Sequence, residues 1–172
     1  MHDLSRAKTR SIQHQRSTPH NENCCVIEVA AGLVFRDGKL LITQRFPGAH
    51  CGGLWEFPGG KREPSESFEE CLRRELREEL GVEVCVGELV ESLRHDYPEK
   101  SVFLKFFLGQ WLQNEPRPLH CHDLAWVTRD ELSNYSFPAA DARLLDKLRA
   151  ADRFWSKWNR HPACSIPKRQ FI

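Results

Sequence analysis

Apolar residues recur along this chain with two different periods, and the change of period separates strands from helices. From Val26, the run VIEVAAGLVF, the polar Arg36-Asp37-Gly38 and the run KLLITQR predict two strands joined by a tight Asp-Gly turn. PGAHCGG reads as a loop, LWEFPGG as a short strand ending in a glycine turn, and KREPSE as further loop. Phe68, Leu72, Leu76 and Leu80 then fall four apart with Cys71 alongside, which predicts a helix with one apolar stripe. Ser67 stands at its N-cap, Glu70 completes a capping box, and Gly81 occupies the C-cap position. Two long strand-like runs, VEVCVGELVESLRHDY and SVFLKFFLGQWLQ, flank Pro98-Glu99-Lys100, and LAWV is a short strand. Thr128 caps a turn or short helix over TRDEL. A second amphipathic helix is expected from Pro138 to about Ala150, with Leu144, Leu145 and Leu148 inward. The order of elements predicts an α/β (α+β) fold, a mixed sheet between helices, with no internal repeat.

The chain has 172 residues, 40% of them hydrophobic, enough for one core. Residues 1–23 are polar and unpatterned, so a disordered N-terminal tail is expected there, followed by one domain over 24–150. Residues 151–172 form a basic extension carrying Trp155 and Trp158, which nothing separates from a frayed terminus. With 25 basic against 24 acidic side chains, no global field marks a nucleic-acid or membrane-surface binder. No apolar run reaches the roughly 20 residues of a membrane helix. The N-terminus lacks the apolar centre of a secretion signal, and its Arg, Ser and Gln content is read as a cytosolic tail in preference to a transit peptide. The seven cysteines, an odd number without framework spacing, argue against a disulfide scaffold and for a reducing compartment. The expectation is a cytoplasmic protein with a small-molecule partner, no membrane or nucleic-acid partner, and a monomer before a homodimer.

The chemistry is concentrated in one stretch. Glu75, Glu78 and Glu79 stand at i, i+3 and i+4, so a helix projects them from one side. Carboxylates about 6 Å apart at an effective dielectric of about 20 repel by roughly 3 kcal/mol per pair. A hard divalent cation with oxygen ligands relieves that repulsion better than protonation does. A carboxylate-lined Mg²⁺ site on a helix is therefore the first functional reading. Glu75 and Glu79 lie about one residue step from the apolar stripe and are expected at a half-buried edge.

The spacing of Gly60, Glu66 and Arg74-Glu75-Leu76-Arg77-Glu78-Glu79-Leu80-Gly81-Val82 resembles the Nudix box at every specified position. Over about residues 26–149, including LWEFPGGK, Trp126 and FPAAD, the chain resembles the MutT branch of that family. It is also similar to the Nudix-like C-terminal domain of the adenine glycosylase MutY. The resemblance implies a Nudix-type α/β/α sandwich and Mg²⁺- or Mn²⁺-dependent hydrolysis of a nucleoside triphosphate to monophosphate and pyrophosphate, sanitising oxidised or modified nucleotides. It makes Glu75 and Glu79 the principal metal ligands, with Glu78 sharing the cluster and the Gly59 carbonyl adding another oxygen. Arg74 would orient Glu75 or its neighbours, and Glu66 would be a supporting acid near the helix start. Lys61 and Arg45 would meet phosphate oxygens, while Arg62 and Arg73 are read as solvated.

The chain also departs from that branch. Six residues before Trp126, where the branch carries a further glutamate, stands His120, which is a candidate base but a poorer Mg²⁺ ligand. Asp123 would substitute if the loop shifts, and Glu115 is more distant. The cluster of His120, Cys121 and His122 is too compact for a zinc site. At the base pocket Asp141 stands where MutT proper has asparagine. An ionised aspartate only accepts hydrogen bonds, which suits the amine of cytosine or adenine or the N7–H of an 8-oxopurine. A protonated one recovers a donor, and a pocket raises its pKa by desolvation. Phe57, Tyr97 and Phe137 are the candidate stacking walls. The competing readings are a Nudix hydrolase of another nucleoside diphosphate derivative, or a non-catalytic lesion-recognition module like the MutY domain.

Overall fold

The computed structural model describes residues 26–97 and 100–156. The expectations for the N-terminal tail, Cys24-Cys25, Pro98-Glu99 and Trp158 lie outside them.

The fold is organised on β1 (Val26–Arg36), whose residues 30–35 are all buried. Successive strand side chains point to opposite faces. On one face Ala30 and Val34 pack with Leu72, Leu76 and Leu80 of α1 (Phe68–Leu80). On the other, Ala31, Leu33 and Phe35 pack with Leu144, Leu145 and Leu148 of α2 (Ala142–Ala150). One strand thus feeds two cores, and the sheet lies between helices as its sequence predicts.

The remaining strands are β2 (Lys39–Gln44), β3 (Trp55–Glu56), β4 (Gly59–Lys61), β5 (Glu83–Asp96), β6 (Ser101–Gln113) and β7 (Asp123–Val127). They run in the order β3-β2-β1-β6-β5, with β4 paired to β1 and β7 to β2. β1 and β6 are parallel over ten residue pairs from Val26↔Ser101 to Phe35↔Gln110, and the other pairings are antiparallel, so the sheet is mixed. Along its other edge β1 changes partner: residues 29–31 pair with β4 and residues 35–36 with β2. This fork lets side chains of α1, on one face of the sheet, reach the opposite face.

The local signals are realised. Asp37 and Gly38 adopt φ of 51° and 72°, as a two-residue hairpin turn requires. Ser67 and Glu70 form the reciprocal capping box, and Gly81 closes α1 in the left-handed conformation with its N–H on the Arg77 carbonyl. Thr128 exchanges hydrogen bonds with Glu131 ahead of a 3₁₀ turn, Glu131–Asn134.

Several expectations are corrected. LWEFPGG is two strands, because β3 pairs with β2 and β4 with β1, and Phe57-Pro58 carries the chain between them. The second helix opens as a 3₁₀ turn over Ala139–Asp141, tightened by the Asp141 N–H donating to the Pro138 carbonyl (3.0 Å), and is α-helical from Ala142. Packing also continues past residue 150. In α3 (Arg153–Ser156) Phe154 is buried, and Trp155 sits edge-to-face on Phe35 at 5.3 Å and donates from Nε1 to the Leu148 carbonyl at 2.9 Å. Arg62, read as solvated, ion-pairs with Glu28 and lies over the Phe68 ring. Among the described residues Cys51, Cys71 and Cys121 are free thiols. Among the described residues no helix is long and apolar enough to cross a membrane.

Candidate active site

A cavity of about 460 Å³ opens at the fork in β1. Its floor is apolar, made by alternate residues of the two parallel strands: Ile27, Val29 and Ala31 from β1, and Val102, Leu104 and Phe106 from β6. Four acids line it as well: Glu56, Glu75, Glu79 and Asp141.

Helix geometry decides which box acids arrive. At about 100° per residue, Glu75 and Glu79 are about 40° apart, whereas Glu78 lies about 100° from Glu79. Glu75 and Glu79 line the cavity; Glu78 is exposed, turned toward solvent, and bonded to Arg74 at 3.1 Å. The spacing that grouped three acids therefore delivers two of them. The Glu75 carboxyl lies against Gly60 so closely that a β-carbon there would fall under 3.0 Å from it. Burial pushes the Glu79 carboxyl up to about 8, helped by the charges of Glu56 and Glu75, against the pull of the Gly59 N–H that donates to it.

Arg74 ties this corner together. It donates to Glu66 twice (3.1 and 2.7 Å), to Glu75 (2.9 Å), to Glu78 (3.1 Å) and to the Lys61 carbonyl (3.1 Å). The hydrogen bonds from Arg74 hold the Glu66 carboxyl down to about 2. Glu66 also accepts from the Glu63 N–H, so the loop before α1 and the helix share one guanidinium.

Glu56 was not singled out in the sequence, yet it sits among the other cavity acids. Burial raises its pKa, and the Arg45 guanidinium, 2.5 Å away, opposes the rise. Arg45, expected on phosphate, is pinned by that pair and by donation to the His50 carbonyl (2.9 Å), while its buried Nε has no partner among the described residues. The available signal was a lone acid between Trp55 and Phe57 in an otherwise apolar run. Lys61 is exposed on the cavity wall.

The stacking candidates divide. Phe57 is buried between Phe106 (5.8 Å) and Phe137 (5.2 Å) and shows only part of its surface to the cavity. Phe137 packs against the core and does not line the cavity. Tyr97 does line it, braced edge-on by His50 (4.9 Å) and His95 (4.5 Å). Asp141 is 5% exposed; burial pushes its carboxyl up to about 7, Glu56 adds to the rise and Arg45 opposes it.

His120 reaches the cavity through its loop, which is sewn to the end of α1. The Arg117 N–H donates to the Leu80 carbonyl (3.0 Å), and those of Leu119 and His120 to the Glu79 carbonyl (2.9 and 3.2 Å). These bonds satisfy carbonyls that a helix end leaves without intrahelical partners. Of the three loop candidates only His120 lines the cavity. Asp123 accepts from the Leu124 N–H, and Glu115 is bound by Arg36, itself held between Trp111 and Trp126. The neighbouring Cys121 thiol is pushed up to about 11 by burial and by Glu79.

Among the described residues no three His, Cys, Asp or Glu side chains form a ready-made metal cage. The donor set still fits Mg²⁺, which is usually held by one or two carboxylates together with water and substrate phosphates. Glu75 and Glu79 are two such carboxylates beside a glycine turn with no side chain in the way, and burial, with the charges of Glu56 and Glu75 added, disfavours the ionised form of Glu79 that a cation would stabilise.

The family profile of the NUDIX domain matches residues 30–147. The CTP pyrophosphohydrolase of Escherichia coli K12 is 40% identical over 125 residues, 73% of this chain and 93% of that protein. The 8-oxo-dGTP diphosphatase of Haemophilus influenzae is 36% identical over 125 residues, 72% and 91% respectively. Among solved structures, that of the E. coli ORF135 protein superposes with a TM-score of 0.65 at 36% identity, covering 77% of this chain and 94% of that one.

Proposed function

From the premise that this chain belongs to the Nudix hydrolase family, we propose that it is a divalent-cation-dependent nucleoside triphosphate pyrophosphohydrolase. Its substrates would be nucleotides whose base offers a hydrogen-bond donor to Asp141: cytosine nucleotides and their modified forms, and 8-oxopurine nucleotides. Water adds to the β-phosphorus, and the bridging oxygen leaves with the nucleoside monophosphate as pyrophosphate forms. The observation that carries this reading is one cavity holding both the half-buried carboxylates of Glu75 and Glu79 and a further, buried acid, Asp141. The relatives named for CTP and for 8-oxo-dGTP bracket the same substrate class.

Glu75, Glu79 and the Gly59 carbonyl would hold the cation. Once bound, it would neutralise the polyphosphate and polarise its phosphoryl oxygens. The protein's own part is placement. Arg74 fixes the Glu75 carboxylate, and Lys61 meets a phosphate oxygen from the exposed rim. The strap over residues 117–120 carries His120 to the cavity wall beside Glu79, where its imidazole can accept a proton from water. Tyr97 and the apolar floor enclose the base. With its carboxyl near 7, Asp141 supplies both an acceptor form and a donor form around neutrality.

The test is a nucleotide panel assayed with Mg²⁺ and with Mn²⁺, separating pyrophosphate from phosphate as product. Pyrophosphate release, with CTP-type and 8-oxo-dGTP at the head of the ranking, is expected. Phosphate release, or turnover at full rate in a chelator, would overturn the proposal.

A further inference from the structure

β5 pairs with β6 through three irregularities, and the third leaves an extra residue between Leu89↔Phe107 and Glu91↔Phe106. That residue is Val90. A bulged residue stands unpaired opposite its partner strand, and here its carbonyl is taken from outside the sheet: Lys147 of α2 donates to it at 2.7 Å. The same ammonium lies 3.3 Å from the Glu91 carboxylate, and Arg143, one turn earlier on α2, lies 3.6 Å from it. Glu91 is largely buried beneath these two cations, its side chain 10% exposed.

α2 is otherwise held by Leu144, Leu145 and Leu148, and apolar contact is non-directional. Leucines keep a helix on a sheet without fixing how far it slides along its axis or rolls about it. An ammonium held between the bulge carbonyl and the Glu91 carboxylate does fix that, since a slip of one residue takes it from both. Setting register is the best-attested use of such buried ionic contacts, which are weak evidence of stability. The residue that α2 carries at its N-cap is Asp141, buried in the cavity, and Glu91 stands opposite Phe106 of the cavity floor.

We propose that Lys147 and Glu91 are positioning residues for base selection: the clamp of α2 on the β5 bulge sets the depth at which Asp141 enters the cavity. This rests on the reading that Asp141 meets the base, but it assigns specificity to two residues outside the cavity wall. Relaxing the clamp changes which base is accepted while leaving the acids of α1 where they are.

The experiment uses the full chain with Lys147→Met, which keeps the aliphatic stem, Glu91→Gln, Asp141→Asn, and Lys147→Met combined with Asp141→Asn. For each, kcat and KM are measured with CTP and 8-oxo-dGTP, alongside the melting temperature. Both clamp variants are expected to move the CTP to 8-oxo-dGTP ratio of kcat/KM by about threefold or more, through KM and with kcat nearly kept. In the combined variant the two effects should fail to multiply, because they act through one carboxyl. An unchanged ratio in the clamp variants while Asp141→Asn shifts it would overturn the clamp and leave the reading of Asp141 standing. Independent, multiplying effects would also overturn it. If Asp141→Asn itself leaves the ratio unchanged, the base-reading role falls and the clamp's role falls with it. A lower melting temperature with both substrates affected equally would show the clamp to be structural only.

Discussion

The Glu75 carboxyl rests on the α-carbon side of Gly60, in space that a single methyl group would fill. Helix α1 and the glycine turn are thus complementary at atomic contact, with Arg74 also holding the carboxylate. Gly60→Ala should displace Glu75 and lower kcat by about tenfold or more, since misplacing a reacting group by about 1 Å costs up to about a hundredfold. Steady-state kinetics with a melting curve would check it. A variant that melts normally and turns over normally would show that the contact is dispensable.

Glu79→Gln should lower turnover by at least about a hundredfold, beyond the 10–100-fold typical of groups that only support a ligand. Glu78→Gln should do much less, because that side chain faces solvent. Calorimetric titration with Mn²⁺ in the absence of nucleotide provides a readout independent of turnover: binding should weaken in Glu79→Gln and persist in Glu78→Gln. Equal losses would mean that all three acids act together, as their spacing first implied.

The same acids set a pH dependence of stability. Between its ordinary 4.5 and about 8, Glu79 keeps in the folded state a proton that the unfolded chain has released. Stability of the cation-free protein therefore declines as pH rises through that interval, and Asp141, raised from 3.8 to about 7, adds to the decline. Glu66 acts in the opposite sense at the acid end: its contribution is complete above 4.5 and is lost as pH falls toward about 2. Melting curves in chelator should show a maximum on the acid side of neutrality. Glu79→Gln should flatten the alkaline limb and raise the melting temperature at pH 8; an unchanged limb would remove the assignment.

Arg74→Lys keeps the charge but loses the planar fork that reaches Glu66 and Glu75 together. Turnover should fall by about 10–100-fold, as for a residue that orients a ligand. Glu66→Gln should fall less, because it leaves the bonds from Arg74 to Glu75 and to the Lys61 carbonyl in place. Kinetics of the two variants at matched Mg²⁺ would rank them, and the reverse order would place the alignment with Glu66.

The features legible in the sequence were those whose cause is local. Ser67, Glu70 and Gly81 cap α1 through groups a few residues away, and Asp37-Gly38 needs only its own backbone angles. What escaped depends on distant pairing. Glu56 is drawn into the cavity because β3 lies on β2, with Thr43 opposite it. Arg45 was expected on phosphate because its partner acid was not foreseen, and Arg62 in solvent because Glu28 is remote in the sequence. Glu78 faces solvent while Glu75 and Glu79 line the cavity, because positions i, i+3 and i+4 do not share one direction around a helix. The bulge at Val90 has no sequence mark of its own, and without it Lys147 is an ordinary lysine on the polar side of an amphipathic helix.

The strap over residues 117–120 has a dynamic consequence. Its amides are spent on the carbonyls that end α1, so a stretch without regular structure of its own shares the helix's fate when the protein breathes. In native-state amide exchange, Leu119 and His120 should trade protons for deuterons together with the last turn of α1, as one cooperative unit, and far more slowly than a surface segment would.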